Sequence, residues 1–532
     1  FNISVVIDDY FMQKVLRGED VYLINPRECP CLYKTWGEEF VKCYERCVEL
    51  IRQGKVRIWR KVNARELWSK IVKSAWDSGD PGLWNKDLAN FVNNEKLPGE
   101  VINATNPCSE ESLYDFESCN LGSINLVKYV DGGRIKWEDL ARDIQLAVRF
   151  LDDVIDVNKL PHERLRKRVL ETRRIGLGAN GLADALIALG LRYDSPQALA
   201  ISDTLASFIA RIAIRASINL AREKGVYPAY KHSDWAEGVL PWTKHRERLE
   251  KFSSTIDKEA VEEYLEVLRE GYGDAKVKSM VEEATIVLRN YRALDEELSI
   301  DVSTVGIRNG SIMSIAPEGS RSLIAGVNSS IEPLFAIAYI RNLTIGRLIE
   351  YNYTALRLLM STKTLDAETR KFVEEYGILP RNHPLAELLR TAHEIHWKWH
   401  VYMQVTWARW NDSGVSKTIN MPSDSPIEDV EQAYKLAWLL GAFGITVYRD
   451  RSKSVQVIYT GVKGVEAKPS TETKVKETAK PSVEARVSYT SLSLLKDKLI
   501  RIKSDGGESI EEEMREELGE TDDPYCKTGS CG

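Results

Sequence analysis

At 532 residues, 43% of them hydrophobic and 29% charged, the chain has the make-up of a globular enzyme with room for one large core or several ordinary ones. A formal charge of −6 excludes a general nucleic-acid-binding surface, so a nucleotide ligand would need a local anion site. There is no apolar run of the ~18 residues that span a bilayer and no secretory signal, and the eight cysteines are too sparse for a disulfide scaffold; together these predict a cytoplasmic protein. Phe1 rather than Met opens the chain, which predicts a processed or truncated polypeptide.

In chain order, the first chemistry-bearing feature is Cys29-x-Cys31 followed by Cys43 and Cys47. The last two are four apart on a predicted helix and share a face, so the four thiols fit a zinc site, a disulfide or separate core cysteines. Next comes Asn106-Pro-Cys108-Ser-Glu110, with Cys119 eleven residues after Cys108. It reads either as a reactive thiol with an acid/base partner and a second, reducing thiol, or as two inert core cysteines. Residues 136–158 carry a helical apolar stripe of Leu140, Ile144, Val148, Leu151 and Ile155. Gly176-x-Gly178-x-x-Gly181, with Asp194 further on, fits a dinucleotide fingerprint and supports a nicotinamide-dependent oxidoreductase as a rival reading. The fingerprint needs an apolar strand before it, whereas Arg164–Arg174 reads as a basic helix end.

A second helical stripe covers 198–224, and residues 232–300 read as a charged, largely helical stretch inserted on the surface. Short strands are predicted at Ser311–Ala316, Lys417–Asn420 and Gly444–Tyr448. Pro317-Glu-Gly-Ser-Arg-Ser322 leaves the first of these and starts a helix, where free amides favour anions. His393, His396 and His400 fall near one helical face and, with Trp397 and Trp399 between them, read as packing residues before metal ligands. Ser425-Pro-Ile-Glu428 predicts a helix start with a capping box. After Ser454 the composition turns to Lys, Glu, Thr, Pro and Ser, which predicts a linker unable to fold alone. A short helix near 492–502 and an acidic run follow, and the chain ends on Cys526 and Cys531. Two thiols on a leash of roughly 45–50 Å r.m.s. suggest a redox arm, with half a zinc site as the alternative.

The run from Asn106 to Leu126 resembles the finger loop of ribonucleotide reductase large chains, above all the adenosylcobalamin-dependent branch. Thr172–Asp184, Arg308–Gly326, Ser416–Pro422 and Gly444–Asp450 resemble four further segments of that family in the same order, so the resemblance spans residues 1–455. It implies the major part of a ten-stranded α/β barrel with a central finger loop over 1–455, a flexible linker over 456–522 and a redox tail over 523–532. It also implies that Cys108 becomes a thiyl radical taking the ribose 3′ hydrogen, that Glu110 takes the 3′-hydroxyl proton, and that Asn106 holds the substrate hydroxyls. Cys119 would be one of two thiols reducing the 2′ position, reset by Cys526 and Cys531 and then by a thioredoxin- or glutaredoxin-like reductant. Pro317, Glu318, Gly319, Ser320, Arg321 and Ser322 would bind the phosphates of a ribonucleoside di- or triphosphate. Glu318 departs from the small hydroxyl residue usual there, and pairing with Arg321 would account for it.

Branches that draw their radical from a metal-bearing partner subunit carry adjacent tyrosines near Val447-Tyr448, where this chain has one. The glycyl-radical branch lacks the glutamate. Adenosylcobalamin is therefore the cofactor the resemblance implies, with a structural zinc at the four upstream cysteines as a second expectation. The family's other reducing cysteine and its effector loops lie upstream of Phe1, so a complementary N-terminal polypeptide and a homodimer are expected.

Overall fold

A computed structural model describes residues 3–343, 346–452 and 458–460. The expected linker over 456–522, the short helix near 492–502, and Cys526 and Cys531 in the tail lie outside these apart from the strand Ile458–Thr460.

Two groups of strands position the candidate site. In the first, Ser4–Ile7 runs parallel to Gly82–Asn85, which pairs antiparallel with Gly444–Arg449, which in turn runs parallel to Thr418–Met421. In the second, Asn120–Asn125 and Ile175–Asn180 are parallel over six residue pairs. This pair is extended by parallel bridges from Leu177 to Met313 and from Ile315 to Val415. The predicted strand at Ser311–Ala316 is thus extended chain bonded on both edges: Leu177 donates to the Ile312 carbonyl at 2.7 Å and Ser416 to the Ile315 carbonyl at 2.8 Å. The mixed helix-and-strand class is as expected, but the described residues form open arcs, not a closed ten-stranded barrel.

The crossover between the two strands of the second arc is the striped helix Trp137–Val157 followed by Glu163–Thr172. All five predicted stripe residues are buried, and Leu151 lies against Gly122 of the strand beneath. A 29-residue helix, Pro196–Lys224, runs through the core; Ser195 caps it by accepting from the Ala198 amide at 3.2 Å. It is long and apolar enough to cross a membrane, unlike the expectation from residue runs, yet 83% of its most apolar window is buried inside the fold. The 232–300 stretch is largely helical as expected, but it is part of the main core and not an insertion on the surface. Its helices Lys258–Gly273 and Ala275–Asn290 pack on Pro196–Lys224 and bury Val261, Tyr264, Leu268, Val277 and Met280 in the main core.

The capping box does not form. The helix begins at Ile427, one residue later than a capping box at Ser425 requires, so the cap position falls on Pro426, which has no side-chain acceptor. A smaller apolar cluster, with Leu334, Ile337, Leu359 and Val373, lies beside the antiparallel pair Ala338–Leu343 and Gly346–Tyr351.

Candidate active site

The segment 104–113 folds back on itself through the two-residue strands Ala104–Thr105 and Ser112–Leu113, with the Cys108 turn at its tip. Ser109 sits at φ 66°, a left-handed conformation that non-glycine residues adopt at a cost of order 1–3 kcal/mol unless their surroundings enforce it. The surroundings here are two glycines from the strand arcs. A β-carbon at Gly414 would collide with the Ser109 carbonyl, and one at Gly444 with the Ser109 side chain. The Gly414 amide also donates to the Glu110 carbonyl at 2.8 Å, and the Ser413 and Ser314 hydroxyls donate to the same oxygen at 2.8 and 3.1 Å. The loop is thus threaded between strands and held at the Glu110 carbonyl by one backbone amide and two hydroxyls. Gly414→Ala is expected to destabilise the protein by about 1–3 kcal/mol through overpacking, opposite in sign to the usual gain of about 0.4–1 kcal/mol from removing a glycine. Urea unfolding midpoints would decide between them.

At the tip, Cys108 is part-exposed, while Glu110 and Glu111 are buried. Burial, and then the Glu110 charge, push the Cys108 thiol up, so it stays a neutral S–H. Burial also raises Glu110, against the Asn106 side chain and Arg321, which favour its charged form. Asn106 is spent on the loop itself: its amide oxygen accepts from the Glu111 amide at 3.1 Å.

The structure also brings together residues that the sequence left apart. Arg321 pairs with Glu318 at 2.7 Å, as its unusual charge demanded, and donates to the Leu121 carbonyl at 2.8 Å. Ser123 donates a hydrogen bond to Glu318 as well. Glu318, at φ 64°, stands at the cap position of Gly319–Ala325, and its carboxyl is raised by burial first, with the Glu110 charge adding to it. The 317–322 loop therefore packs on the strand Asn120–Asn125 that follows the finger loop, and the charges of Arg321 and Glu318 act on Glu110. Gly319 and Ser320 are exposed there. Ser322 does not offer the free donor expected of it, since its hydroxyl bonds the Gly319 carbonyl and Ser329, each at 2.9 Å.

Glu111 went unnoticed in the sequence because a second glutamate beside Glu110 reads as surface charge. It is buried, and burial lifts its carboxyl to about 7, opposed by Ser314, Arg174 and Cys119. The Cys119 thiol donates to the Asn120 carbonyl at 3.6 Å and is pushed well up by burial and then by the Glu111 charge. Each finger thiol thus has its own carboxyl. A raised folded-state value means that ionising Glu111 costs folding free energy as pH climbs from the ordinary 4.5 through about 7, and that no such cost exists below that window. Glu111→Gln should remove this loss, worth up to about 3 kcal/mol at pH 8 and nothing at pH 4. Equal urea midpoints for the two proteins at pH 8 would contradict it.

Behind Glu111, Arg174 pairs with Glu95 at 2.7 Å and Glu117 at 2.8 Å and donates to Asn93 at 2.6 Å, all out of solvent. Asp412 accepts from the Ile312 and Met313 amides at 2.9 and 2.8 Å, fixing the edge along which the finger loop lies. No periodicity or spacing marks these residues, since their partners are distant in sequence.

Other features singled out in the sequence take structural roles. Gly176 and Gly178 lie inside the strand Ile175–Asn180, after a basic helix, and are small because Ser314 and its neighbours press on them. Asp194 is held by Arg192 and Arg390, both at 3.0 Å. Neither feature is a dinucleotide site. His396 caps the helix Trp397–Ala408, His400 bonds the Ala392 carbonyl at 3.0 Å, and His393 packs on Phe335. Cys31 is disulfide-bonded to Cys43, one of the alternatives open in the sequence, whereas Cys29 and Cys47 are free thiols.

The assembled site pairs hydrogen-donating thiols with carboxyls that can take or return protons, on a loop threaded through an α/β sheet: the equipment of a thiol-based oxidoreductase. The family model for the ribonucleotide reductase barrel domain matches residues 1–448, and the chain belongs to that family. The vitamin B12-dependent ribonucleoside-diphosphate reductase of Thermoplasma acidophilum is 35% identical over 536 residues, covering 100% of this chain and 54% of the relative. The protein of the same description from Mycobacterium tuberculosis is 34% identical over 89% of this chain and 54% of its own length. The ribonucleoside-diphosphate reductase subunit alpha of Chlamydia pneumoniae is 30% identical over 83% of this chain and 40% of its own. The chain spans about half the length of the curated relatives it matches.

Proposed function

We propose that this chain carries the catalytic finger loop of a B12-dependent ribonucleotide reductase, which makes 2′-deoxyribonucleotides from ribonucleotides by radical chemistry at Cys108. The observation that supports the reading is the contact of the 317–322 loop with the finger segment: Arg321, paired with Glu318, donates to the Leu121 carbonyl, and its charge acts on Glu110 two residues from Cys108. Cys108 keeps its hydrogen and is part-exposed, as a hydrogen-atom donor must be. Glu110, raised yet ionisable, serves as base for a substrate hydroxyl; Asn106 orients it. Cys119, with Glu111 to hold its proton, serves as a reductant. Arg321 and the exposed Gly319–Ser320 amides face the phosphates, with Glu318 neutralised by Arg321.

Adenosylcobalamin fits this donor set: when bound it supplies homolytic one-electron chemistry, and a neutral thiol at the finger tip is the group able to answer it. The strand Gly444–Arg449 supports that choice over a metal-bearing subunit, because alternation buries Val447 in the core where a second tyrosine would be needed. The two strand arcs belong, in this reading, to one ten-stranded barrel over 1–455, completed by strands from the length of the relatives not covered here. Residues 456–522 and 523–532 serve as leash and redox tail, with Cys526 and Cys531 passing electrons from a thioredoxin- or glutaredoxin-like dithiol. The assembly is a cytoplasmic homodimer.

The test is deoxyribonucleotide formation with adenosylcobalamin and dithiothreitol, with and without a separately made upstream polypeptide corresponding to the uncovered part of the relatives. Activity that requires cobalamin supports the reading; a well-folded mixture active only with a metal-bearing subunit would move the chain to the other branch.

A further inference from the structure

We propose that Cys29, Cys31, Cys43 and Cys47 form a tetrathiolate zinc site, and that the Cys31–Cys43 disulfide is its oxidised, metal-free form. The cysteines reach one point from two elements. Cys29 and Cys31 flank Pro30 at the start of the short helix Cys31–Lys34, and Cys43 and Cys47 lie one turn apart on the facing side of Gly37–Arg52. Cys29, Cys43 and Cys47 are buried and Cys31 is half-buried. The sulfurs of Cys31, Cys43 and Cys47 all lie within 4.8 Å of one another, and those of Cys31 and Cys47 are 3.9 Å apart. Cys29 is buried in the same small cluster as Cys43 and Cys47 and supplies the fourth thiol.

The distances decide what such a cluster can hold. Zinc binds thiolate at about 2.3 Å, so the edge of a ZnS4 tetrahedron is about 3.8 Å. The unbonded Cys31–Cys47 pair already stands at that separation. A disulfide explains two of the thiols and leaves the other two buried against it without a purpose; a tetrathiolate site uses all four.

The energetics point the same way. These cysteines are the centre of a small apolar cluster of their own, separate from the main core, with Ile51 and Val56 buried and Tyr22, Ile24, Leu32 and Leu50 packed around them. So few apolar side chains supply little folding free energy, and small units of this kind are fixed by a metal or a disulfide. Within a reducing compartment the metal is the more durable of the two. The site shares no residue with the finger loop, so its role is structural and independent of the proposed activity.

Assembly balances as follows. A dithiol reductant gives two electrons and two protons to the Cys31–Cys43 bond and becomes a disulfide itself. The four thiols then release four protons as Zn2+ binds, leaving a centre of net charge −2 and no change in the oxidation state of zinc. Arg46, whose positive charge acts on Cys47, stands beside that centre.

The experiment uses the full chain, prepared with dithiothreitol and zinc and freed of loose metal, in a Cys526→Ser/Cys531→Ser background so that the terminal thiols cannot contribute. Elemental analysis should find about one zinc per chain, and Cys29→Ser and Cys47→Ser, which spare the disulfide pair, should each reduce it at least about fivefold. If either variant fails to fold, the unmutated site still answers. Cobalt(II) in place of zinc should give thiolate-to-metal charge transfer and tetrahedral d–d absorption, and zinc should protect all four cysteines from alkylation. Less than about 0.1 zinc per chain, no tetrahedral cobalt spectrum, or a Cys31–Cys43 disulfide recovered intact from that preparation would each overturn the proposal.

Discussion

Cys108→Ala is expected to abolish deoxyribonucleotide formation in the reconstituted enzyme while leaving the urea unfolding midpoint within about 0.5 kcal/mol of the parent, because the side chain is part-exposed at a loop tip. No neighbouring group replaces it: Ser109 is turned into the strands by its left-handed backbone, and the Cys119 thiol donates to the Asn120 carbonyl. Glu110→Gln should be less complete, losing about 10²–10⁴-fold in turnover, the usual worth of a positioned base. The two variants differ in pH response. Because Glu110 is raised above the ordinary carboxyl value, the parent's rate should fall on the acid side as Glu110 takes a proton, and that limb should vanish in Glu110→Gln. Substantial turnover by Cys108→Ala would remove the thiol from the mechanism.

Arg174→Met is expected to cost about 3–5 kcal/mol of stability, the largest effect of any single change outside the catalytic pair. The guanidinium is 1% exposed, and its removal strands Glu95 and Glu117, both at 0%. Attraction between charges does not make the pair valuable on its own terms, since burying all three groups is costly. What makes the deletion severe is that two carboxyls are left without a counter-charge in a site closed to water. Burial already raises Glu95 far above its ordinary value, so the variant should recover part of its loss at low pH, where that carboxyl is neutral. The cluster joins the 93–95 turn to the base of the finger loop at Glu117, so Cys119 should also become more reactive toward alkylating reagents. Urea midpoints at pH 5 and pH 8 measure the first effect and mapped alkylation the second. A change below about 1 kcal/mol at pH 8 would contradict this account.

Most of the elements that frame the site were legible because local pattern fixes them. The stripe at Leu140, Ile144, Val148, Leu151 and Ile155 has one period and one buried face, and the helix Trp137–Val157 follows within a residue or two of the expected bounds. Thr418–Met421 and Gly444–Arg449 are short apolar runs bounded by turn residues and emerged as strands. Residues 311–316 show where pattern stops: they lie between two partners, yet their bonds are spread over Leu177, Gly414, Ser416 and Asp412, contacts that no window of sequence contains. The capping box failed because the helix starts at Ile427, which puts Pro426, without a side-chain acceptor, at the cap.

At the site, the thiols and Glu110 were visible by chemical type, and the Glu318–Arg321 pairing by the need to neutralise a misplaced charge. Glu111 and Arg174 were not, because what sets them apart is burial. An exposed glutamate and an exposed arginine look the same in a sequence. The glycines at 414 and 444 were hidden likewise: their smallness is explained only by Ser109, some three hundred residues away. The chain's separation into strand arcs and a small cysteine-centred cluster was also beyond pattern, since it depends on which apolar faces meet.

The account's central claim is that the reacting hydrogen of the nucleotide passes to Cys108. It is tested most directly by competition between a ribonucleotide and its 3′-deuterated form in the reconstituted enzyme. The prediction is a primary isotope effect on kcat/KM, with the unreacted pool growing richer in deuterium as deoxyribonucleotide accumulates. A pool whose isotopic composition stays constant through most of the reaction would mean that C3′–H cleavage does not lie on the committed path, and would contradict the role given to Cys108.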